Sequence, residues 1–232
     1  MTRNSIPAVL LALMLLIGLV GYNALRLTEV IGVSAQSAPT ATAVSESALI
    51  SVPAGASVFQ IQPGRTSATF TLTEDLHGAP NTVVGQTSQV SGQLALDPSD
   101  PATAQAGAVT VDARTLATDD SQRNRMIQSF ILSTNQYPSI IFTPTSISDT
   151  PTDVPIGQPF SAQISGLLTI RDQTKPLTFN ATLTEVSADE LDGQATATIN
   201  RTDWGIQVPS MPLVANVSDQ VQLGLNFVAT AQ

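Results

Sequence analysis

Ser67-Ala68-Thr69-Phe70-Thr71-Leu72-Thr73 alternates hydroxyl and apolar side chains without a break. Successive side chains of a strand point to opposite faces. Ala68, Phe70 and Leu72 therefore share one face, and the hydroxyls share the other. A helix has no face that would sort them this way. The same period recurs along the chain. It is carried by Val90, Gly92, Leu94 and Leu96, and by Val109 with Val111. Leu177, Phe179, Ala181 and Leu183 repeat it, as do Ala195, Ala197 and Ile199, and then Val221, Leu223, Leu225 and Phe227. Val58 to Gln62 alternates briefly, and Phe160 to Ile170 in part. Ile140 to Ile147 is a further strand, in which Pro144 requires an edge or a bulge. Turn signals lie between these runs, at Asp97 to Pro101, Asp149 to Pro159 and Asp192-Gly193. The pattern predicts an all-β domain of about eight or nine mostly antiparallel strands. Even spacing and meander-like turns favour a closed antiparallel barrel of about eight strands over a sandwich.

One segment departs from this period. Between Asp119 and Leu132, Met126, Ile127, Phe130 and Ile131 fall on one helical face. Thr118 or Asp119 can cap such a helix, and Asp119 and Arg123 stand at i and i+4. An inserted α-helix is predicted there.

Charge and composition narrow the function classes. Only 12% of residues are charged and the net charge is −9. Nucleic acid is a poor partner for such a chain, because phosphates are held by Lys and Arg. Cysteine is absent, which removes disulfides, thiol catalysis and Cys–zinc sites. Arg3 precedes an uncharged apolar run from Ile6 to Tyr22. This reads as an apolar helix that anchors the chain in a membrane, or as a signal segment cleaved near Val33-Ser34-Ala35. Either reading places the rest of the chain outside the cytoplasm, anchored in the first case and secreted or periplasmic in the second. Residues 34–56 are rich in Ser, Thr, Ala and Pro and read as a flexible tether. The expected organisation is anchor or signal over 1–33, tether over 34–56 and barrel domain over 57–232.

Groups able to do chemistry are sparse. His77 is the one histidine, and no Gly-x-Ser-x-Gly turn accompanies it. The acidic pairs Asp97/Asp100 and Asp119/Asp120 sit at turns or helix starts and read as caps in preference to metal ligands. Asn180, Asn200 and Asn216 open N-x-Ser/Thr triplets, which matter only in a glycosylating host. Ile199-Asn200-Arg201-Thr202-Asp203-Trp204-Gly205-Ile206 concentrates polar groups around the single tryptophan. In a barrel this reads as a structural corner of Asn200, Arg201 and Asp203. Arg201 would pair with Asp203 or with backbone carbonyls, and Trp204 would plug or line one end of the interior.

A barrel of about eight strands is either just filled by its side chains or holds one small ligand. Ala195, Ala197 and Gly92 would leave room inside, or would accommodate larger neighbours. Several blocks occur in the order found in a known family. They are Pro63 to Phe70, Val84 to Pro98, Val109 to Asp112, Asp119 to Asn124, Phe130 with Tyr137 to Phe142, Gly166 to Leu177, and Ile199 to Ile206. Over about 57–230 the chain resembles the YceI-like family of lipocalin-like barrels that bind polyisoprenoid lipids. It departs from the pattern at Arg65, where the family usually has His, and at Glu74 or Asp75, where a second His is common. The resemblance implies a non-catalytic binder with no cofactor, whose ligand is an isoprenoid lipid such as a quinone or polyprenyl phosphate. The expected cavity lining is Phe70, Leu72, Leu94, Val109, Val111, Met126, Phe130, Ile164, Leu168, Phe179 and Trp204. A structural or protein-interaction barrel with a filled core is the alternative. The edge strands and the helix offer surfaces for a homodimer.

Overall fold

The computed structural model describes residues 50–209 and 211–232. The predicted anchor or signal segment, and residues 34–49 of the tether, lie outside the described residues. Among the described residues, 50–209 and 211–232, no helix is long and apolar enough to cross a membrane.

The strands, in chain order, are β1 (Ser57–Ile61), β2 (Ser67–Leu76), β3 (Ala79–Thr87), β4 (Val90–Ser91), β5 (Gln93–Leu96), β6 (Gln105–Ala106) and β7 (Val109–Asp112), followed by β8 (Ser139–Ser148), β9 (Pro159–Ile170), β10 (Gln173–Ser187), β11 (Glu190–Asn200), β12 (Val214–Ala215) and β13 (Gln220–Ala231). They form one curled antiparallel sheet in the order β4-β7-β8-β9-β10-β11-β13-β1-β5-β6. β2 also pairs with β13, and β3 and β12 pair with β2. The sheet has 13 strand segments, more than the sequence pattern resolves, because long stretches are interrupted. Residues 90–96 form one alternating run, yet Gly92 breaks it into β4, which pairs with β7, and β5, which pairs with β1. β13 likewise divides one edge, giving Gln222–Asn226 to β2 and Ala229–Ala231 to β1.

Alternation sorts the faces as the sequence predicts. Along β9, Phe160, Ala162, Ile164, Leu168 and Ile170 are buried, with more exposed residues between them. β8 carries the irregularity required by its proline, since its register against β9 shifts between Pro144 and Ser146. Two aromatic rings crowd against cross-strand glycines. A Cβ at Gly85 would run into the Phe70 ring, and one at Gly193 into the Phe227 ring. Glycine is needed at both positions because another backbone is approached by a ring.

The inserted helix differs from its prediction in three ways. α1 covers Ser121–Met126, and Ile127–Ile131 continues as a π-helical turn. Its cap is Asp120, whose side chain accepts from the Arg123 N–H at 2.8 Å, in place of Thr118 or Asp119. The Leu132 N–H donates to the Ile127 carbonyl at 2.8 Å, an i→i+5 bond that widens the turn. Ile127 and Leu132 thereby share the buried side, and Phe130 rotates out to 67% exposure. The i, i+4 pair is present, with Arg123 Nη1 at 2.8 Å from Asp119 Oδ1.

The core divides into two clusters. One, toward the helix, includes Leu168, Ile170, Ile199, Trp204 and Val221. The other, at the opposite end of the strands, includes Phe59, Ile61, Leu94, Leu183, Leu191 and Phe227.

Candidate functional site

Where the two clusters meet, the interior is not filled. Small residues from four elements, Ala68, Ala106, Ala195 and Gly224, stand on the wall of an inner cavity of ≈ 140 Å³. Larger apolar side chains complete it, among them Ile61, Phe142, Leu225 and Phe227. Thr69 is the one residue of that wall with a polar side chain. Phe142 and Phe179 meet edge to face, with ring centroids 4.9 Å apart at 74°, which fixes one side of the wall. A cavity lined this way disfavours water, since a buried water needs two to four polar partners.

A second, outer cavity of ≈ 860 Å³ lies beside α1 and the 211–217 segment. Phe70, Leu116, Ile140 and Leu223 belong to both walls, so the cavities adjoin. The outer wall is mixed. Ile170, Ile199 and Val221 are apolar, and Glu74, His77, Asp120, Arg123, Arg125 and Arg201 bring charge or polarity.

Those charges are largely compensated. Glu74 is 6% exposed at the inward end of β2, and its Oε1 accepts from Arg123 Nη2 at 3.0 Å and from Asn81 Nδ2 at 3.1 Å. Arg123 is also held by Asp119, so one guanidinium serves two carboxylates. The Asp120 carboxyl lies below the usual range, first because it accepts from the Arg123 backbone N–H. Arg201 pairs with Asp219 Oδ1 at 2.7 Å and donates to the carbonyls of Ser218, Ile206 and Val217.

The sequence-predicted residues distribute as follows. Leu94, Val109, Val111, Ile164, Leu168 and Phe179 stand on the inner wall, Leu72, Met126 and Phe130 on the outer wall, and Phe70 on both. Trp204 lines neither cavity. It is 4% exposed, and its Nε1 donates to the Leu168 carbonyl at 3.2 Å, so it supports the inner wall from behind. An indole needs a partner when buried, and a carbonyl in the core supplies one. Of the two partners expected for Arg201, it has the backbone carbonyls, and its ionic partner is Asp219 and not Asp203. Asp203 sits in the first turn of the 3-10 helix Arg201–Trp204, and Asn200 makes no capping bond. Ala195 lines the inner cavity. Ala197 is buried without lining either one. Gly92 leaves no free room, because Ile61 Cδ1 and Val109 Cγ2 stand 3.1 and 3.2 Å from where its Cβ would be.

Of the departures from the family pattern, only Glu74 reaches a cavity. Arg65 is bound to Glu190 at 2.7 Å, which lowers the Glu190 carboxyl pKa, and Asp75 accepts from Asn216 Nδ2 at 2.6 Å. His77 has no side-chain hydrogen bond, and no group of three or more His, Cys, Asp or Glu is placed to hold a metal, among the described residues. Sequence reasoning missed Phe142, Leu223, Leu225 and Phe227, although their alternation was visible. It also missed Leu116 and the Met211-Pro212-Leu213 segment, which follow no period.

Residues 59–229 match the family model of the YceI-like domain. The chain belongs to the YceI-like family. A UPF0312 protein of Vibrio cholerae serotype O1 is 28% identical over 179 residues, covering 73% of this chain and 89% of the relative. Two solved structures share the fold. BcnA of Burkholderia cenocepacia superposes with a TM-score of 0.57 at 20% identity, covering 73% of this chain and 99% of that one. A polyisoprenoid binding domain from Saccharophagus degradans gives a TM-score of 0.57 at 12% identity, covering 75% and 98%. This YceI-like domain therefore shares a curled antiparallel sheet with proteins of widely diverged sequence.

Proposed function

We propose that this chain binds a polyisoprenoid, or a similar long apolar lipid, and carries or stores it without catalysis at the extracytoplasmic membrane surface. The observation that carries the reading is the pair of adjoining cavities, one small and apolar, the other wide and partly polar. An isoprenoid tail would lie in the inner cavity against Leu94, Val109, Val111, Ile164, Leu168 and Phe179. It would cross Phe70 into the outer cavity, where Leu72, Met126 and Phe130 flank it and polar groups meet its head. Burial contributes about 0.8 kcal/mol per CH₂-sized group, hence about 4 kcal/mol gross for each five-carbon unit. A few units give strong retention with no buried charge. Membership of the YceI-like family and the polyisoprenoid-binding relative of S. degradans support this reading. In it, the sheet closes as a barrel through the continuous 90–96 run, whose halves pair with β7 and β1. The apolar N-terminal run holds the domain at the membrane. The inner cavity counts against a barrel with a filled core. The test is lipid extraction from the purified chain followed by mass spectrometry. An isoprenoid is expected. A lipid-free chain that also takes up no added isoprenoid would overturn the proposal.

A further inference from the structure

The rim of the outer cavity carries two large apolar side chains that water disfavours. Phe130 is 67% exposed and Leu213 is 64% exposed, and both stand on the cavity wall. They come from separate elements, the π-helical turn after α1 and the loop before β12. Each is presented by unusual backbone. The i→i+5 turn rotates Phe130 outward. Leu213 has a φ of 71°, a left-handed conformation that a bulky residue adopts only at a cost. That conformation is held on one side by the His77 N–H, which donates to the Leu213 carbonyl at 2.8 Å. It is held on the other by β12, which pairs with β2. The fold thus spends strain to keep an apolar side chain at the mouth. Arg125 is exposed on the same rim and makes no ion pair within 4.0 Å among the described residues, although the Asp120 carboxylate on the same wall feels its charge, whereas Arg123 and Arg201 are paired.

We infer that this rim docks on a lipid bilayer. Phe130 and Leu213 enter the acyl boundary, Arg125 lies at the level of anionic headgroups, and lipid passes between membrane and outer cavity without crossing water. Apolar anchors beside an exposed cation are the chemistry by which a surface sits in a membrane interface. A bilayer meets the whole rim at once, with acyl chains for Phe130 and Leu213 and headgroup phosphate for Arg125. Continuity completes the argument, since the two exposed anchors are themselves cavity wall. The inference rests on the lipid-binding reading and names where the lipid enters.

The chain has no cysteine, so an introduced one is a unique attachment point. The full chain is reconstituted with vesicles of phosphatidylcholine and phosphatidylglycerol, carrying an environment-sensitive dye at Leu213→Cys or, separately, at Phe130→Cys. The control is Ile156→Cys, equally apolar and 60% exposed, in the loop that enters β9 at the end away from the outer cavity. Dyes at Leu213→Cys and Phe130→Cys are expected to shift to the blue and to be quenched by lipids bearing a nitroxide on the acyl chain. The dye at Ile156→Cys is expected to do neither. Adding Arg125→Glu is expected to weaken quenching at Leu213→Cys about fivefold or more on these vesicles, and to change it little on phosphatidylcholine alone. Equal, weak quenching at all three sites in a chain that still takes up isoprenoid overturns the docking and spares the lipid-binding reading. Selective quenching in a chain that takes up no isoprenoid supports the docking and removes that reading. A blue shift that rises with protein concentration and needs no vesicles points to a second copy of the chain, and also overturns it.

Discussion

Filling the inner cavity from Ala195 separates an open interior from a packed one. Ala195 lies at the centre of β11, opposite Ala181 of β10 and Leu225 of β13, with its methyl on the cavity wall. Ala195→Phe projects a phenyl ring into a space of ≈ 140 Å³ and displaces roughly one isoprene unit. At about 0.8 kcal/mol per carbon the displaced unit is worth about 4 kcal/mol gross. Because 1.4 kcal/mol is a factor of ten, affinity for a long isoprenoid can fall by up to about a thousandfold. Imperfect exclusion and the costs of association reduce this, so a loss of about ten- to several-hundred-fold is expected. A one-unit isoprenoid, short enough for the outer cavity alone, should bind nearly as before. The assay is a titration of a chain-length series against parent and variant, with thermal unfolding alongside. If the interior were already filled, the ring would cost about 1–3 kcal/mol of stability through overpacking. An open cavity accepts it with little or no loss. Unchanged long-chain affinity in a folded variant, or an equal loss for short and long ligands, would refute the placement of the tail.

Other outcomes follow from the same geometry. Gly85→Ala should displace the Phe70 ring, lower stability by about 1–3 kcal/mol and alter isoprenoid uptake, read by thermal unfolding and binding kinetics. Arg201→Ala leaves three carbonyls without their donor and should cost about 1–3 kcal/mol in denaturant unfolding, whereas Asp203→Ala should cost well under 1 kcal/mol. Glu185 is 4% exposed with Oε2 unpartnered, and burial raises its pKa above the ordinary 4.5. Between 4.5 and that raised value the folded state holds more protons than the unfolded state, so this group's contribution to stability falls as pH rises through the window. Glu185→Gln should therefore match the parent at low pH and exceed it in melting temperature at neutral pH. A parent at least as stable as the variant at neutral pH would contradict this.

The strands were legible because alternation is a local property. The period of two picks out Leu177, Phe179, Ala181 and Leu183 of β10 and Val221, Leu223, Leu225 and Phe227 of β13, since a half-buried sheet exposes one face to water; it is read only in part along β9 and does not reach the buried Glu185 and Ala229. Most of the cavity wall followed for the same reason, because an inward side chain of a curled sheet either packs or lines. The helix was legible only in place. Its π turn rests on one i→i+5 bond that no residue pattern announces, and that bond moved Phe130 from the expected buried face to the rim.

What the sequence determined alone was the set of inward faces, the turns, the irregularity at Pro144 and the block order shared with the YceI-like family. Tertiary structure decided everything that depends on residues distant along the chain. Only register across strands shows that Ala195 borders a void while Ala197 and Gly92 do not. Only the return of the chain after β11 brings Asp219, and not the nearer Asp203, to Arg201. Only the packed core shows that Trp204 holds the Leu168 carbonyl from behind the wall. The period of a strand tells which way a side chain points. What it meets there is set by the neighbouring strands, and that is a matter of packing.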